Sequence, residues 1–428
     1  MSADVVECVG LRLYILNLQA LTYFQPRSIN AKSPCVEPPL VALSNFKTID
    51  LFCGAGGLSE GFEAAGFDVR VANDFDSFAA ETFKLNHPKT KFLDGSIQDI
   101  SIDDMLNAAD LDTGELDVLI GGPPCQAYSV YNHQRGMHDE RSGLFREYIR
   151  MVEGLMPRVV VMENVTGITS VADGKAVKEI YRSLESLGFH VEHRILKSED
   201  YGVPQERRRI FFIGVRDGVA VEWPMPTHGL RTDLFSMNRK PLVTVWDAIS
   251  DLPELKILEG ENESEYDRKP ESDYQVLMRR GSTRLFNHVA PYLAEINIER
   301  LRHIPQGGSW RDVPIHLLPA GMKRAKRSDH TKRYGRLHPN GLCCTVLTKC
   351  DLHWGAYIHP TQERTLTVRE AARFQSFPDK VCFTGSRAEQ YRQVGNAVPP
   401  MLGKAVAKSV LSMLKRSAAK PKEKVNAS

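Results

Sequence analysis

Three kinds of reactive side chain stand beside apolar runs in this sequence. Cys125 follows "LDVLIGGPP", Glu163 closes "RVVVME", and Arg207, Arg208 and Arg209 precede "IFFIG". A cysteine thiolate is a strong nucleophile and a good leaving group, and a free thiol is already partly ionised near neutral pH. A carboxyl group preceded by a run of apolar residues is partly desolvated, which raises its pKa and suits it to donate a proton. Arginines at alternate positions of a strand share one face, so Arg207 and Arg209 suit a phosphate or a polar carbonyl. Each also has a plainer reading. A lone cysteine is commonly a small buried apolar residue, Glu163 could cap a helix or join an ion pair, and an arginine run is ordinary surface charge. For Cys125 the address argues for function: two prolines stiffen its loop, and the loop sits where open α/β sheets bind ligands.

A second group of residues surrounds "TIDLFCGAGGLSEGF". Phe52, Gly54 and Gly56 stand where a strand passes into a helix. Glycines there let the backbone approach a ligand, and helix N-terminal amides face it. The next apolar run ends in "VANDFDS", with Asp74 eighteen residues after Gly56, near the roughly 20-residue offset of a ribose-binding carboxylate. The dinucleotide fingerprint then fails, because GxGG lacks the third glycine that packs the helix below a pyrophosphate. A nucleoside without phosphates fits better than NAD or a flavin. Phe75 can lie flat on an adenine and Ile97, in "DGSIQDI", can cover its other side; core packing is the alternative for both.

Together these are a thiol, a carboxylic acid, two arginines and a pocket for an adenosyl group. They answer one chemical problem: C5 of a pyrimidine is too poor a nucleophile to take a methyl group directly. Thiolate addition at C6 makes the ring an enamine with electron density at C5, and an acid at N3 neutralises the charge the ring acquires.

The elements that must position these residues are legible as alternating patterns. "KTIDLF", "FDVRVAND", "LDVLIGG", "RVVVMENV" and "RRIFFIGV" are short β-branched runs bounded by turn residues, which predicts buried parallel strands. Helical spacing lies between them, at Leu58, Phe62 and Ala65 and again through "SGLFREYIRMVEGL". Alternating β and α segments predict a doubly wound α/β sheet. We read residues 1–44 as an extension of unknown role and 45–222 as the catalytic, ligand-binding domain. Past 223 the alternation gives way to proline and charge, which predicts a smaller domain over 223–388. Helical spacing returns in "PPMLGKAVAKSVLSML", so 389–416 is expected to rejoin the first domain, before a disordered tail at 417–428.

Composition narrows the class. With 42% hydrophobic and 25% charged residues among 428, the chain reads as soluble and globular, and no apolar run reaches the roughly 18 residues of a membrane span. The nearest stretch, 8–24, contains Arg12, Asn17 and Gln19 and follows acidic residues, unlike a signal peptide. A cytoplasmic location is expected. The eight cysteines include no CxxC pair, so neither a disulfide framework nor a zinc site is expected, and no metal. A net charge of only +2 leaves nucleic-acid binding to local patches, of which "MKRAKRSDHTKRYGR" at 322–336 is the clearest.

At these residues the sequence resembles the cytosine-C5 DNA methyltransferases. "DLFCGAGG" is similar to their cofactor motif, "GGPPCQAYS" to their nucleophile loop, "MENV" to their acid and "QERRRIFFIG" to their arginine strand. "RTLTVREAARFQSFPD" and "YRQVGNAVPP" resemble the two C-terminal motifs, in the family's order. The resemblance covers about 47–414. It implies a Rossmann-like S-adenosylmethionine-dependent methyltransferase sheet with a smaller target-recognition domain. By position it implies Cys125 as nucleophile, Glu163 as proton donor to N3, and Arg207 and Arg209 as holding the cytosine or a nearby phosphate. For S-adenosylmethionine it implies Phe52, Gly54, Gly56, Asp74, Phe75, Ile97, Pro124, Leu144, Asn396 and Val398. Ser96 departs from the pattern, since many members carry an acid there.

The resemblance further implies double-stranded DNA as partner and extrusion of the target cytosine, because the thiol cannot reach C6 in a stacked duplex. A compact bacterial modification enzyme acting as a monomer, with a restriction endonuclease as genetic partner, is the expectation. A tRNA cytosine methyltransferase is the alternative, on the strength of "CFT" at 382–384, although that tripeptide follows the "FQSFPD" motif here. A catalytically silent binding module has no use for a cysteine on a Pro-Pro loop.

Overall fold

The run Val159–Met162 carries apolar residues alternately to both faces of its strand, so layers of helices must cover both sides. In the computed structural model, which describes residues 46–124, 143–229, 237–326, 328–329 and 331–419, the order is β1 (Lys47–Leu51), α1 (Gly57–Glu63), β2 (Asp68–Asp74), α2 (Ser77–Asn86), β3 (Lys91–Asp94) and α3 (Ile102–Ala109). Then come β4 (Val118–Gly121), α4 (Gly143–Leu155), β5 (Val159–Val165), α5 (Lys175–Ser186), β6 (His190–Lys197) and β7 (Arg208–Val215). All seven strands form one sheet in the order β3-β2-β1-β4-β5-β7-β6. The α/β reading of the sequence is therefore the fold observed.

Two features of the sheet differ from the sequence reading. The two unanticipated strands, β3 and β6, are its edges, and their exposed residues keep them from showing an apolar run. The strand read as parallel from "RRIFFIGV" is antiparallel to both neighbours. That reversal has a local cause: only ten residues, 198–207, join β6 to β7, and Ser198 N donates to Arg207 O (2.8 Å), whereas parallel strands need a crossover of a dozen or more residues.

Alternation along the strands feeds two cores. Ile210 and Phe212 join Leu51, Met105, Tyr148, Met151 and Ile180 on the face covered by α3, α4 and α5. Phe211 and Ile213 join Leu58, Phe62, Val118, Val159, Leu402 and Val406 on the other. The last two belong to the final helix, which packs on α1.

The chain beyond β7 contributes α6 (Val245–Ile249), β8 (Gly260–Ser264), α7 (Asp273–Met278), β9 (Leu285–Val289), α8 (Glu295–Arg302), α9 (Val368–Phe374), α10 (Arg387–Asn396) and α11 (Pro400–Ala419). β8 and β9 form a separate two-stranded sheet. Ala55 of the glycine loop shares a core with Val245, Leu366, Phe374 and Phe377, so this region packs directly under the loop. Arg373, wholly buried, is held by Asp251 and by Asp379 (Nη2 to Oδ2, 2.6 Å), carboxylates that offset the cost of burying its charge. Far from the cavity, Lys47 N donates to Asp117 Oδ2 (2.9 Å), Arg158 Nη1 donates to Asp117 Oδ1 (3.0 Å), and Arg158 Nη2 donates to Ser417 Oγ (2.9 Å). No helix among the described residues is long and apolar enough to cross a membrane.

Candidate active site

The parallel strands β1, β2, β4 and β5 end on one side, and β7, running the other way, begins there. A cavity of about 760 Å³ lies at this edge, large enough for a nucleoside ligand with a polar tail.

At one end of the cavity stands the glycine loop. Phe52, Gly54 and Gly56 have φ of 57°, 54° and 84°, and a left-handed backbone is costly for residues other than glycine. Gly54 N donates to Asp74 Oδ2 (2.8 Å) and Asp76 N donates to Asp74 Oδ1 (2.9 Å), so two amides orient the carboxylate while burial pushes its pKa up. Phe75 is 69% exposed and Ile97 is buried at 2%, and both line the cavity with Phe52 and Leu144. These apolar surfaces beside a carboxylate suit an adenosine, and the open space at Gly54 leaves room for it. Gly56 is the exception among the expected contacts. It does not line the cavity; a Cβ there would lie 2.5 Å from His87 Nε2. His87 Nδ1 in turn lies 2.9 Å from Glu63 Oε2. Glu60 completes that group, and its carboxylate pairs with Lys380 (2.9 Å).

At the other end are the candidate acid and its partner. Glu163 on β5 lies opposite Phe211 on β7, and Val165 opposite Arg209, which makes Glu163 and Arg209 diagonal neighbours on one face, within reach of long side chains. Arg209 Nε sits 2.8 Å from Glu163 Oε1. Burial pushes the Glu163 carboxyl up, against the pull of Arg209 and Arg207, and the net direction is upward. Arg209 is lowered on balance, by burial, against the pull of Glu163. Pro124 lines the cavity beside these groups. Cys125, the expected nucleophile, lies outside the described residues.

Arg207 is placed differently from the expectation. β7 begins at Arg208, so strand alternation does not reach Arg207, and it does not line the cavity. Its guanidinium is wholly buried against backbone carbonyls. Asn396 and Val398 do line the cavity, next to Gly395 and Ala397.

Two further residues belong to this site: Asn164, which the sequence places beside Glu163 at the same edge without a role, and Asp50, which it does not single out. Asn164 Nδ2 donates to Pro123 O (2.9 Å) and its Oδ1 accepts from Val165 N (2.8 Å), tying the acid's strand to the Pro-Pro loop. Asp50 lines the cavity and is 1% exposed; its Oδ2 accepts from Ser59 Oγ (2.6 Å), and burial pushes its pKa up to about 7. The available signal was an acid inside the apolar run "TIDLF". In the basic stretch, Arg336 is buried and donates to the carbonyls of Ile304, Leu301, His359 and Gln362, so it is committed inside the fold. Lys332 pairs with Glu206 (3.6 Å), and Arg333 stacks over Trp354, which is 57% exposed.

Comparison with known proteins agrees with this geometry. The profile of the C-5 cytosine-specific DNA methylases matches residues 46–412. The Type II methyltransferase M.AgeI of Thalassovita gelatinovora is 34% identical over 424 residues, covering 85% of this chain and 99% of that protein. The Type II methyltransferase M.DdeI of Desulfomicrobium norvegicum is 34% identical over 384 residues, covering 85% of this chain and 88% of its own length. Among solved structures, a DNA modification methyltransferase encoded within an E. coli prophage superposes with a TM-score of 0.68 at 25% identity, covering 87% of this chain and all of that one. S. pombe Dnmt2 shares the fold, with a TM-score of 0.52 at 18% identity over 87% of this chain and 99% of that one. The matched profile spans nearly every described residue, and the chain belongs to the C-5 cytosine-specific DNA methylase family.

Proposed function

We propose that this enzyme methylates C5 of a cytosine extruded from a specific duplex DNA sequence, with S-adenosylmethionine as donor and a covalent Cys125–C6 adduct as intermediate. The observation that carries the proposal is the Glu163–Arg209 pair (2.8 Å) lining the same cavity as Asp74 and the glycine loop. An acid for the pyrimidine and a pocket for an adenosyl group thus share one space.

Asp74, Phe75 and Ile97 would hold the adenosine, with Asn396 and Val398 on the rim. S-adenosylmethionine, when bound, supplies an electrophilic methyl group. Cys125 adds as a thiolate to C6, forming the S–C6 bond while the ring electrons shift toward C5. Glu163 gives its proton to N3, so the addition builds no net negative charge on the ring. Burial raises the carboxyl above its ordinary value and so favours the acid form relative to a free glutamate, while Arg209, 2.8 Å away, orients the carboxyl and would pair with the carboxylate once the proton has left. C5, made nucleophilic by the addition, would take that methyl group; its remaining proton would pass to water, the C5–C6 double bond would re-form as the thiolate leaves C6, and N3 would return its proton to the Glu163 carboxylate.

Residues 223–388 would read the DNA sequence, with Lys332 and Arg333 on the side nearest Glu206. We further infer a bacterial cytoplasmic enzyme that acts as a monomer and protects DNA from a restriction endonuclease, a reading supported by the Type II names of its relatives. Bisulfite sequencing of DNA from cells expressing the protein tests substrate, position and site together. A fixed methylated cytosine is expected, and it disappears in Cys125→Ser. Methyl transfer confined to tRNA, or retained in Cys125→Ser, overturns the proposal.

A further inference from the structure

Arg207 stands two residues before Arg209 but is bound to a different part of the molecule. Its Nη1 donates to Val346 O (3.1 Å), and its Nη2 donates to Gly395 O and Ala397 O (2.9 Å each). The last two carbonyls flank Asn396, and Gly395, Asn396, Ala397 and Val398 all line the cavity.

Two wholly buried glutamines complete the tie. Gln205 Oε1 accepts from Val346 N (2.8 Å), and Gln205 Nε2 donates to Gln375 Oε1 (2.9 Å). Gln375 Nε2 donates to Val394 O (2.6 Å) and Ala397 O (3.3 Å). The backbones held this way are in close contact: a Cβ on Gly395 would lie 2.4 Å from the carbonyl carbon of Leu347. The segment 394–397 therefore has three of its carbonyls, Val394, Gly395 and Ala397, fixed by side chains from elsewhere in the chain. A planar guanidinium suits this task because one fork serves several carbonyls at set angles, which an ammonium cannot do.

We propose that Arg207 is a positioning residue for the cofactor, setting the Gly395–Val398 rim of the cavity, and is not a contact to the cytosine or its phosphate. This rests on the reading of the cavity as an S-adenosylmethionine site. The two arginines then serve different ligands: Arg209 acts through Glu163 on the base, and Arg207 acts through the rim on the donor. Leaving the rim carbonyls without their donor costs affinity at that rim, since buried acceptors must be paired.

The test measures binding of S-adenosylhomocysteine, the demethylated product, by calorimetry on the full chain without DNA, alongside methyl-transfer kinetics. Arg207→Lys keeps the charge and loses the fork. We expect binding weaker by roughly tenfold, the cost of one charge-assisted hydrogen bond, and a larger fall in kcat/KM for the cofactor than in kcat. Arg209→Lys gives the opposite pattern, with kcat falling more than cofactor affinity. Gln375→Met preserves volume while removing the donors to Val394 and Ala397, and reproduces the Arg207→Lys pattern even where that variant fails to fold. Folded variants that bind S-adenosylhomocysteine as the wild type does, with kcat lost, overturn the inference. Wild-type protein that binds none overturns the cofactor reading beneath it, a failure visible before any substitution is made.

Discussion

Glu163 and Arg209 meet 2.8 Å apart across β5 and β7, strands that run in opposite directions. The carboxyl is raised by burial and pulled down by its guanidinium partner, so removing the partner raises it further. Arg209→Gln is expected to move the alkaline limb of the single-turnover pH profile to higher pH, because the acid form of Glu163 persists longer. Glu163→Gln removes the acid altogether, and its rate is expected to fall by about 10²–10⁴-fold, the usual contribution of a general acid. An unshifted limb in Arg209→Gln would falsify the coupling.

Asn164 ties the strand of Glu163 to the Pro-Pro loop through Pro123 O (2.9 Å). Asn164→Ala leaves that carbonyl without its side-chain donor, which costs about 1–3 kcal/mol of stability, and frees the loop that carries Cys125. Its kcat is expected to fall by about tenfold or more, since small misplacements of reacting groups are costly. Unfolding in urea and methyl-transfer kinetics check the two effects separately.

The two glycines of the loop separate cleanly. Gly54 faces open space in the cavity, whereas a Cβ at Gly56 would collide with His87. Gly54→Ala is expected to weaken cofactor binding at a modest cost to stability, about 1–2 kcal/mol for the left-handed backbone. Gly56→Ala adds an overpacking cost of about 1–3 kcal/mol to the same strain, so its melting temperature falls further. A thermal scan with and without S-adenosylhomocysteine distinguishes them, and equal melting temperatures would refute the assignment.

Asp50 sets a pH dependence of folding. Its carboxyl is raised from 3.8 to about 7, so the folded state holds a proton that the unfolded chain releases. That contribution is complete below the unfolded value and is lost as pH rises through the folded one. Asp50→Asn is expected to flatten the fall in melting temperature between about pH 4 and pH 7 and to be the more stable protein above that window. A steeper fall in the variant is the contrary result.

Much of the fold is legible in the sequence, and the reasons differ by element. β1, β2, β4, β5 and β7 are covered on both faces, so their apolar runs announce them. β3 and β6 sit at the sheet edges with exposed residues, and periodicity has nothing to detect there. The direction of β7 was hidden for a different reason: pairing geometry depends on the connection between strands, not on the composition of either. For the same reason a parallel reading of that strand sets Glu163 and Arg209 at opposite edges, and it is the reversal that brings them into contact. Arg207 looked equivalent to Arg209 because alternation was extended one residue too far. The hydrogen bonds that distinguish it come from positions 346 and 395–397, and long-range partners leave no local mark.

The chain from Lys47 through Asp117 and Arg158 to Ser417 has a topological consequence. The first strand and the last helix end beside each other, so a short linker between residues 46 and 419 would close the fold into a ring. Such a ring can be reopened at an exposed stretch such as Asp267–Pro270 without touching either core of the sheet or the cavity. In that circular permutant the ribosome would deliver α11 before β1, and the same pocket would assemble from a chain written in another order.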